Sequence, residues 1–330
     1  MMRAAVVHEF GPPEGIVLED RPIPAPGPGE IVARVHAAGV NFADVLMTAG
    51  RYVVRPPRPF VPGLEFAGVV TAVGPGAERW RVGDRVMGAP TTGGCFAEYV
   101  CLPADKAFAA PEALPFELAA GFLIGHGTAA FSFRRTGLKP GERVLVTGAG
   151  GGVGVAAIDV AKRMGAWVVA AAGSADKLAV AKAHGADELI DYRAQDLAKE
   201  LKARTGGDGV DVVLDTVGGA VFDAALRGMA RWGRMAVVGF ASGDIPRIAA
   251  EYLLVKNLSV IGVGFGGLMA EDPASAQAVI DDLLALHARE PFKAEIAGRY
   301  RLDEASAALR RLADRGVTGK LIVTPDPSLL

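Results

Sequence analysis

"VLVTGAGGGVGVAAIDVAKRMGAWVVAAAGSADK", residues Val144 to Lys177, places an apolar run before a turn with five glycines in seven residues, and an amphipathic run after it. The apolar run reads as a strand ending at Thr147, Gly148 to Gly154 as a turn, and the amphipathic run as a helix. A helix N-terminus offers unpaired backbone N–H groups and the positive end of the helix dipole, which together hold an anion. Side chains would block that approach, so bare backbone there suits a pyrophosphate. The spacing is A-x-G-x-x-G, from Ala149 through Gly151 to Gly154, not the strict G-x-G-x-x-G fingerprint. Alone, such a turn is also an ordinary structural turn; its surroundings decide between the readings.

Those surroundings alternate. Strand-like runs "RVLVTG", "AWVVAAA", "ADELID", "VDVVLDTVG", "GRMAVVGF" and "LSVIGVGF" follow one another. Helices are expected at 152–164, 175–183, 195–205 and about 220–229 between them. Strands rich in Val, Leu, Ile and Ala, separated by amphipathic helices, predict an α/β, doubly wound parallel sheet of six strands, the Rossmann pattern. In that context the glycine turn is expected to bind a dinucleotide, with Gly151 and Gly152 at the pyrophosphate.

Outward from this core the texture changes. The first 120 residues carry proline and glycine clusters such as "RPIPAPGPGE" and "RYVVRPPRPFVPG" between short β-type runs, which reads as a turn-rich β domain. After the sixth strand a mixed segment follows, with helices expected at 274–286 and 303–314 and strands at "GRYRL" and "GKLIVTP". The expected organisation is therefore a β-rich domain over 1–123, a dinucleotide-binding domain over 124–265, and a return segment over 266–330 that completes the first domain.

Composition bounds the function. Of the 330 residues 51% are hydrophobic and 22% charged, a balance suited to a large folded core. The net charge of -2 provides no positive field for nucleic acid. No apolar run reaches about 18 residues, so no membrane span is expected. Cys95 and Cys101 are the only cysteines and form no metal or disulfide pattern, which fits a cytoplasmic location.

The end of the second strand selects the coenzyme. Enzymes that use NAD usually place Asp or Glu there for the ribose 2'-hydroxyl; this chain has Gly173 and Ser174. Ser174, Lys177 and Tyr192 are hydroxyl and cationic donors suited to a 2'-phosphate, so NADPH is the expected coenzyme. Asp176 is read as a surface acid in the first turn of the following helix.

The motifs "GVNFADVLMTAGRY", "PFVPGLEFAGVV", "GDRVMG", "FAEYV", "GGVG", "GADELIDYR" and "GVTGKLIV" resemble, in that order, the medium-chain dehydrogenase/reductase superfamily and its zinc-independent quinone oxidoreductase branch. The resemblance spans essentially the whole chain and implies a GroES-like β-rich catalytic domain beside the Rossmann domain. Zinc enzymes of the superfamily carry cysteine and histidine where this chain has Asn41 and Leu64, so no metal site is expected. Without a Lewis acid, the resemblance implies hydride transfer to a quinone or similar conjugated carbonyl acceptor. It further implies that Asn41 lies near the nicotinamide ribose and that Tyr52 lines the substrate mouth as the candidate catalytic hydroxyl. Thr128, Val153, Phe240, Ser242, Phe265 and Lys320 are implied as further coenzyme neighbours, and Leu46 stands where several relatives have a second tyrosine. Arg51, Arg55 and Arg58 beside Tyr52 leave open an enoyl-thioester reductase, an alkenal double-bond reductase is left open beside it, and a non-catalytic NADPH-binding protein is the alternative of another class. The apolar sixth strand is expected to pair with its copy in a homodimer.

Overall fold

The computed structural model describes residues 1–326 and Ser328. The chain forms two compact units. One comprises Met1–Ile124, Gly266–Ile280 and the described residues from Ala294 onward; the other comprises Gly125–Phe265 and Asp281–Lys293.

Among the described residues, the second unit is built on six parallel strands: β1 (Arg143–Thr147), β2 (Trp167–Ala172), β3 (Glu188–Asp191), β4 (Val210–Asp215), β5 (Met229–Val237) and β6 (Ser259–Gly262). Their spatial order is β3-β2-β1-β4-β5-β6. Val144 of β1 pairs with Val168 on one side and Val212 on the other. Because both faces of the central strands are covered, Val144, Leu145, Val146, Val212, Val213 and Leu214 are all fully buried. Helices α1 (Gly152–Arg163), α2 (Ala175–Ala183), α3 (Leu197–Arg204) and α4 (Gly219–Arg227) follow β1 to β4 in turn. The chain winds outward from β1 to β3 and then restarts at β4 on the other side. The carboxyl ends of β1 and β4 thus flank the switch point where such sheets bind ligands.

The first unit contains a mixed seven-stranded sheet among the described residues. Its path runs Ile296–Arg301, Lys320–Thr324, Glu30–Val40, Phe66–Val73, Arg85–Gly88, Ala107–Ala109, with Tyr99–Pro103 also paired to Glu30–Val40. The long strand Glu30–Val40 is the organiser. It pairs antiparallel with the closing strand, Leu321 opposite Val40, and with Phe66–Val73. Phe66, Phe96, Leu102, Leu309 and Val323 fill the core beneath.

Two features differ from the sequence expectation. Residues 281–293, read as return segment, pack within the second unit: the Phe292 ring meets His126 tilted at 4.6 Å between ring centres, and the Arg163 guanidinium lies 4.4 Å over it. The short helices Phe42–Thr48 and Ala250–Lys256 lie in stretches whose proline, glycine and mixed patterning gave no helical period.

Candidate active site

In the second unit, Gly148 turns the chain at φ +62° after β1, and Gly151 is the N-cap of α1 in an extended conformation. Gly151 N donates to Gly148 O at 2.9 Å and Val155 N to Gly151 O at 2.9 Å. A Cβ on Gly154 would stand 2.2 Å from Gly148 O, so the helix can pack on its own turn only if that residue is glycine. This leaves Gly151, Gly152 and Val153 partly exposed at the head of a twelve-residue helix. Bare N–H groups at a helix start are what a pyrophosphate requires, and the residues fit that group.

At the end of β2, Ser174 is the N-cap of α2, and its hydroxyl caps none of the helix amides. Lys177 reaches back over the glycine turn; a Cβ on Gly150 would lie 2.5 Å from Lys177 Cβ. Tyr192, whose amide donates to Ala172 O at 3.2 Å, lies over Gly173 together with Arg193. The position a Gly173 Cβ would take is 2.9 Å from Arg193 Nε and 3.1 Å from Tyr192 Cε2. The structure therefore gathers Gly173, Ser174 and Tyr192 with Arg193, a cation directly after Tyr192 that the sequence reading missed.

Phe240 and Ser242 line the end of β4. Ser242 N donates to Val217 O at 2.8 Å, Phe240 lies against Gly218, and the Phe240 side chain remains about a third exposed. Phe265 is buried: its ring fills the space beside Gly127 and meets Phe131 at 6.0 Å between ring centres. Thr128, the residue after Gly127, is buried at the start of a helix.

The first unit holds the remaining candidates. Asn41 caps the helix Phe42–Thr48, its amide N donating to Asp44 Oδ2 at 2.7 Å. The Asn41 side chain joins a buried polar knot. Asn41 Nδ2 donates to Glu65 Oε1 at 3.0 Å, and Lys320 Nζ donates to both Glu65 Oε1 at 2.5 Å and Asn41 Oδ1 at 2.6 Å. The other Glu65 oxygen accepts from Ile124 N at 2.9 Å. Glu65 is 1% exposed; a carboxylate at that depth requires its cation. Gly39 leaves the room the lysine needs, since a Cβ there would come within 2.8 Å of Lys320 Cε.

Beneath this knot, Asp44 is completely buried. Burial pushes its carboxyl up to about 7, against the pull of the Asn41 amide and the Lys320 charge. Asp44 Oδ1 and Thr48 Oγ1, one helical turn apart, have no hydrogen-bond partner among the described residues. The Cys95 thiol is pushed well above its ordinary value by burial, then by Asp44 and Glu65, which makes it an inert packing group. Tyr52 is half-buried against Met47, Phe60 and Leu64, and its amide donates to Leu46 O at 3.1 Å. Burial, then the charge of Asp44, raise its phenol, so Tyr52 is a neutral donor at physiological pH. Of the nearby arginines, Arg58 pairs with Glu9 and lies over Phe10, while Arg51 and Arg55 are exposed. Leu64 is buried among apolar side chains, and no group of three or more metal-ligating side chains occurs among the described residues.

A GroES-like β unit and a six-stranded Rossmann unit, each with its own polar site, define a nucleotide-dependent oxidoreductase of two-domain type. Two family models match the chain: the alcohol dehydrogenase GroES-like domain over residues 27–112, and the zinc-binding dehydrogenase model over 152–284. The quinone oxidoreductase-like protein 2 homolog of Nematostella vectensis is 36% identical over 324 residues, 97% of this chain and 88% of its own. A quinone oxidoreductase of Pseudomonas syringae superposes with a TM-score of 0.91 at 33% identity, covering 98% of this chain and 100% of that one. The Escherichia coli quinone oxidoreductase complexed with NADPH superposes at 0.89 with 32% identity and the same coverage. The chain belongs to the medium-chain dehydrogenase/reductase family.

Proposed function

We propose that this oxidoreductase transfers hydride from NADPH to a quinone or similar conjugated carbonyl, without zinc. The observation that carries the coenzyme choice is the end of β2, where no carboxylate waits for a ribose 2'-hydroxyl, Ser174, Tyr192 and Arg193 gather at the bare backbone of Gly173, and Lys177 lies against Gly150 of the glycine turn. Hydroxyls and guanidinium are partners for a phosphate dianion. NADPH, when bound, supplies the hydride. The glycine turn holds its pyrophosphate through backbone N–H groups, and Asn41, held by Glu65 and Lys320, is assigned to the nicotinamide by family resemblance.

Zinc independence rests on the donor set. Asn41 has its side-chain oxygen committed to Lys320 and its nitrogen to Glu65, and Leu64 is an apolar side chain in an apolar cluster, so the family's two early ligand positions offer no thiolate and no imidazole. A conjugated acceptor delocalises the incoming charge, and positioning with a neutral Tyr52 donor then suffices. We assign residues 1–123 with 266–280 and the described residues from 294 onward to catalysis, 124–265 with 281–293 to the coenzyme, and a cytoplasmic location to the protein. No helix among the described residues is long and apolar enough to cross a membrane. A homodimer through the β6 edge is part of this reading, supported by the exposed Trp232, Leu254 and Val255 in the same unit. The test is NADPH oxidation with 1,4-benzoquinone in the presence of a chelator: turnover insensitive to chelation is expected, and loss of turnover with metal removal contradicts it.

A further inference from the structure

Asp215, the last residue of β4, is fully buried, and its carboxylate gathers three donors. Thr147 Oγ1 donates to Oδ1 at 2.5 Å, Val217 N to Oδ1 at 3.3 Å, and Gly218 N to Oδ2 at 3.0 Å. The link is doubled in the other direction. Thr216 N donates to Thr147 Oγ1 at 3.1 Å, and Thr216 Oγ1 donates to Thr147 O at 3.0 Å. Thr147 is the last residue of β1, so these bonds lace the carboxyl ends of β1 and β4, the two strands flanking the switch point. Gly148 follows at once, and its Cα faces Thr216 Oγ1 so closely that a Cβ would lie 2.4 Å from it. The same short segment orients the other rim, because Ala241 N donates to Thr216 O at 3.0 Å and Ser242 N to Val217 O at 2.8 Å.

A hydroxyl that donates to one group of a neighbouring strand and accepts from another has no rotational freedom left. A buried carboxylate that accepts from side chain and backbone alike is fixed too. We propose that Asp215, acting through Thr147, is a positioning residue for the coenzyme: it sets the take-off of the glycine turn so that its N–H groups are preorganised for the pyrophosphate. The inference rests on the NADPH reading above.

The test separates the two ends of the coenzyme. Equilibrium binding of NADPH and of adenosine 2'-monophosphate, which carries the 2'-phosphate but no pyrophosphate, is measured for the wild type, Asp215→Asn, Thr147→Val and Thr147→Ser. In Asp215→Asn an NH2 group faces N–H or O–H donors, leaving a buried donor unmatched; Thr147→Val removes the hydroxyl at constant shape, and Thr147→Ser restores it. Asp215→Asn and Thr147→Val are expected to raise the NADPH Kd about tenfold, Thr147→Ser to stay within about twofold of wild type, and the nucleotide monophosphate Kd to change by less than about twofold throughout. Should Asp215→Asn fail to fold, the Thr147 pair carries the same comparison. Unchanged NADPH affinity in Thr147→Val, or parallel loss of both ligands, overturns the proposal. Absence of NADPH binding by the wild type is distinguishable from either and overturns the coenzyme reading together with this inference.

Discussion

Replacing Asp44 by Asn reverses the usual expectation that removing a buried, hydrogen-bonded carboxylate destabilises a protein. The carboxyl is completely buried, one of its oxygens has no partner, and burial lifts it from 3.8 to about 7. A group whose pKa is raised on folding favours the fold while protonated, and that advantage is lost as pH rises from the unfolded value through the folded one. A rise of roughly three pH units, at ~1.4 kcal/mol for each, makes the wild type about 4 kcal/mol less stable above pH 7 than below pH 4 through this group alone. The amide of the Asp44→Asn variant has no charge to bury, and its carbonyl oxygen retains the bond from Asn41 N. The stability of Asp44→Asn relative to wild type should therefore grow by about 3 kcal/mol between about pH 5 and about pH 8, read from guanidinium unfolding midpoints across that range. Parallel pH profiles for the two proteins would show that Asp44 is ionised without penalty and would refute the reasoning.

His126 predicts the opposite slope in the other unit. Burial lowers its imidazole to about 4, with Arg163, His184 and His287 adding to the shift and Asp159 opposing it. It folds neutral, so stability is lost as pH falls from about 6.5 to about 4, by about 3 kcal/mol; His126→Leu should flatten acid unfolding over that window, and an unchanged profile would speak against it. Lys320→Met leaves the buried Glu65 carboxylate without its cation and should cost about 3 kcal/mol of stability in thermal unfolding; a loss below ~1 kcal/mol would mean that water replaces the lysine. Lys177→Ala and Arg193→Ala should each raise the KM for NADPH about tenfold with little effect on NADH. Equal effects on both coenzymes would remove these residues from the 2'-phosphate.

The Rossmann half was legible because its signals are local. Apolar strands, amphipathic helices and the glycine turn each lie within a few residues, and the expected helix at 175–183 is the observed α2. The buried polar knot of the first unit was only half legible. Asn41 and Lys320 were singled out by resemblance, but Glu65, which joins them, lies 24 positions from one and 255 from the other. A glutamate next to an apolar strand carries no local sign that it will be buried against a lysine near the end of the chain. Asp215 escaped notice for the same reason: its partner Thr147 comes from a neighbouring parallel strand 68 positions away, and crossover connections place such partners far apart in sequence. The sixth strand was read as longer than the four residues it spans, since "NLSVIGVGF" stays apolar into the turn that precedes the helix Phe265–Glu271.

Titration calorimetry with NADPH and NADH, followed by mixing the NADPH complex with 1,4-benzoquinone and recording nicotinamide absorbance, tests the central claim most directly. Saturable NADPH binding at one per chain, weaker NADH binding, and oxidation of the bound coenzyme upon quinone addition are the expected results. Tighter binding of NADH than NADPH, or no heat with either, would contradict the claim.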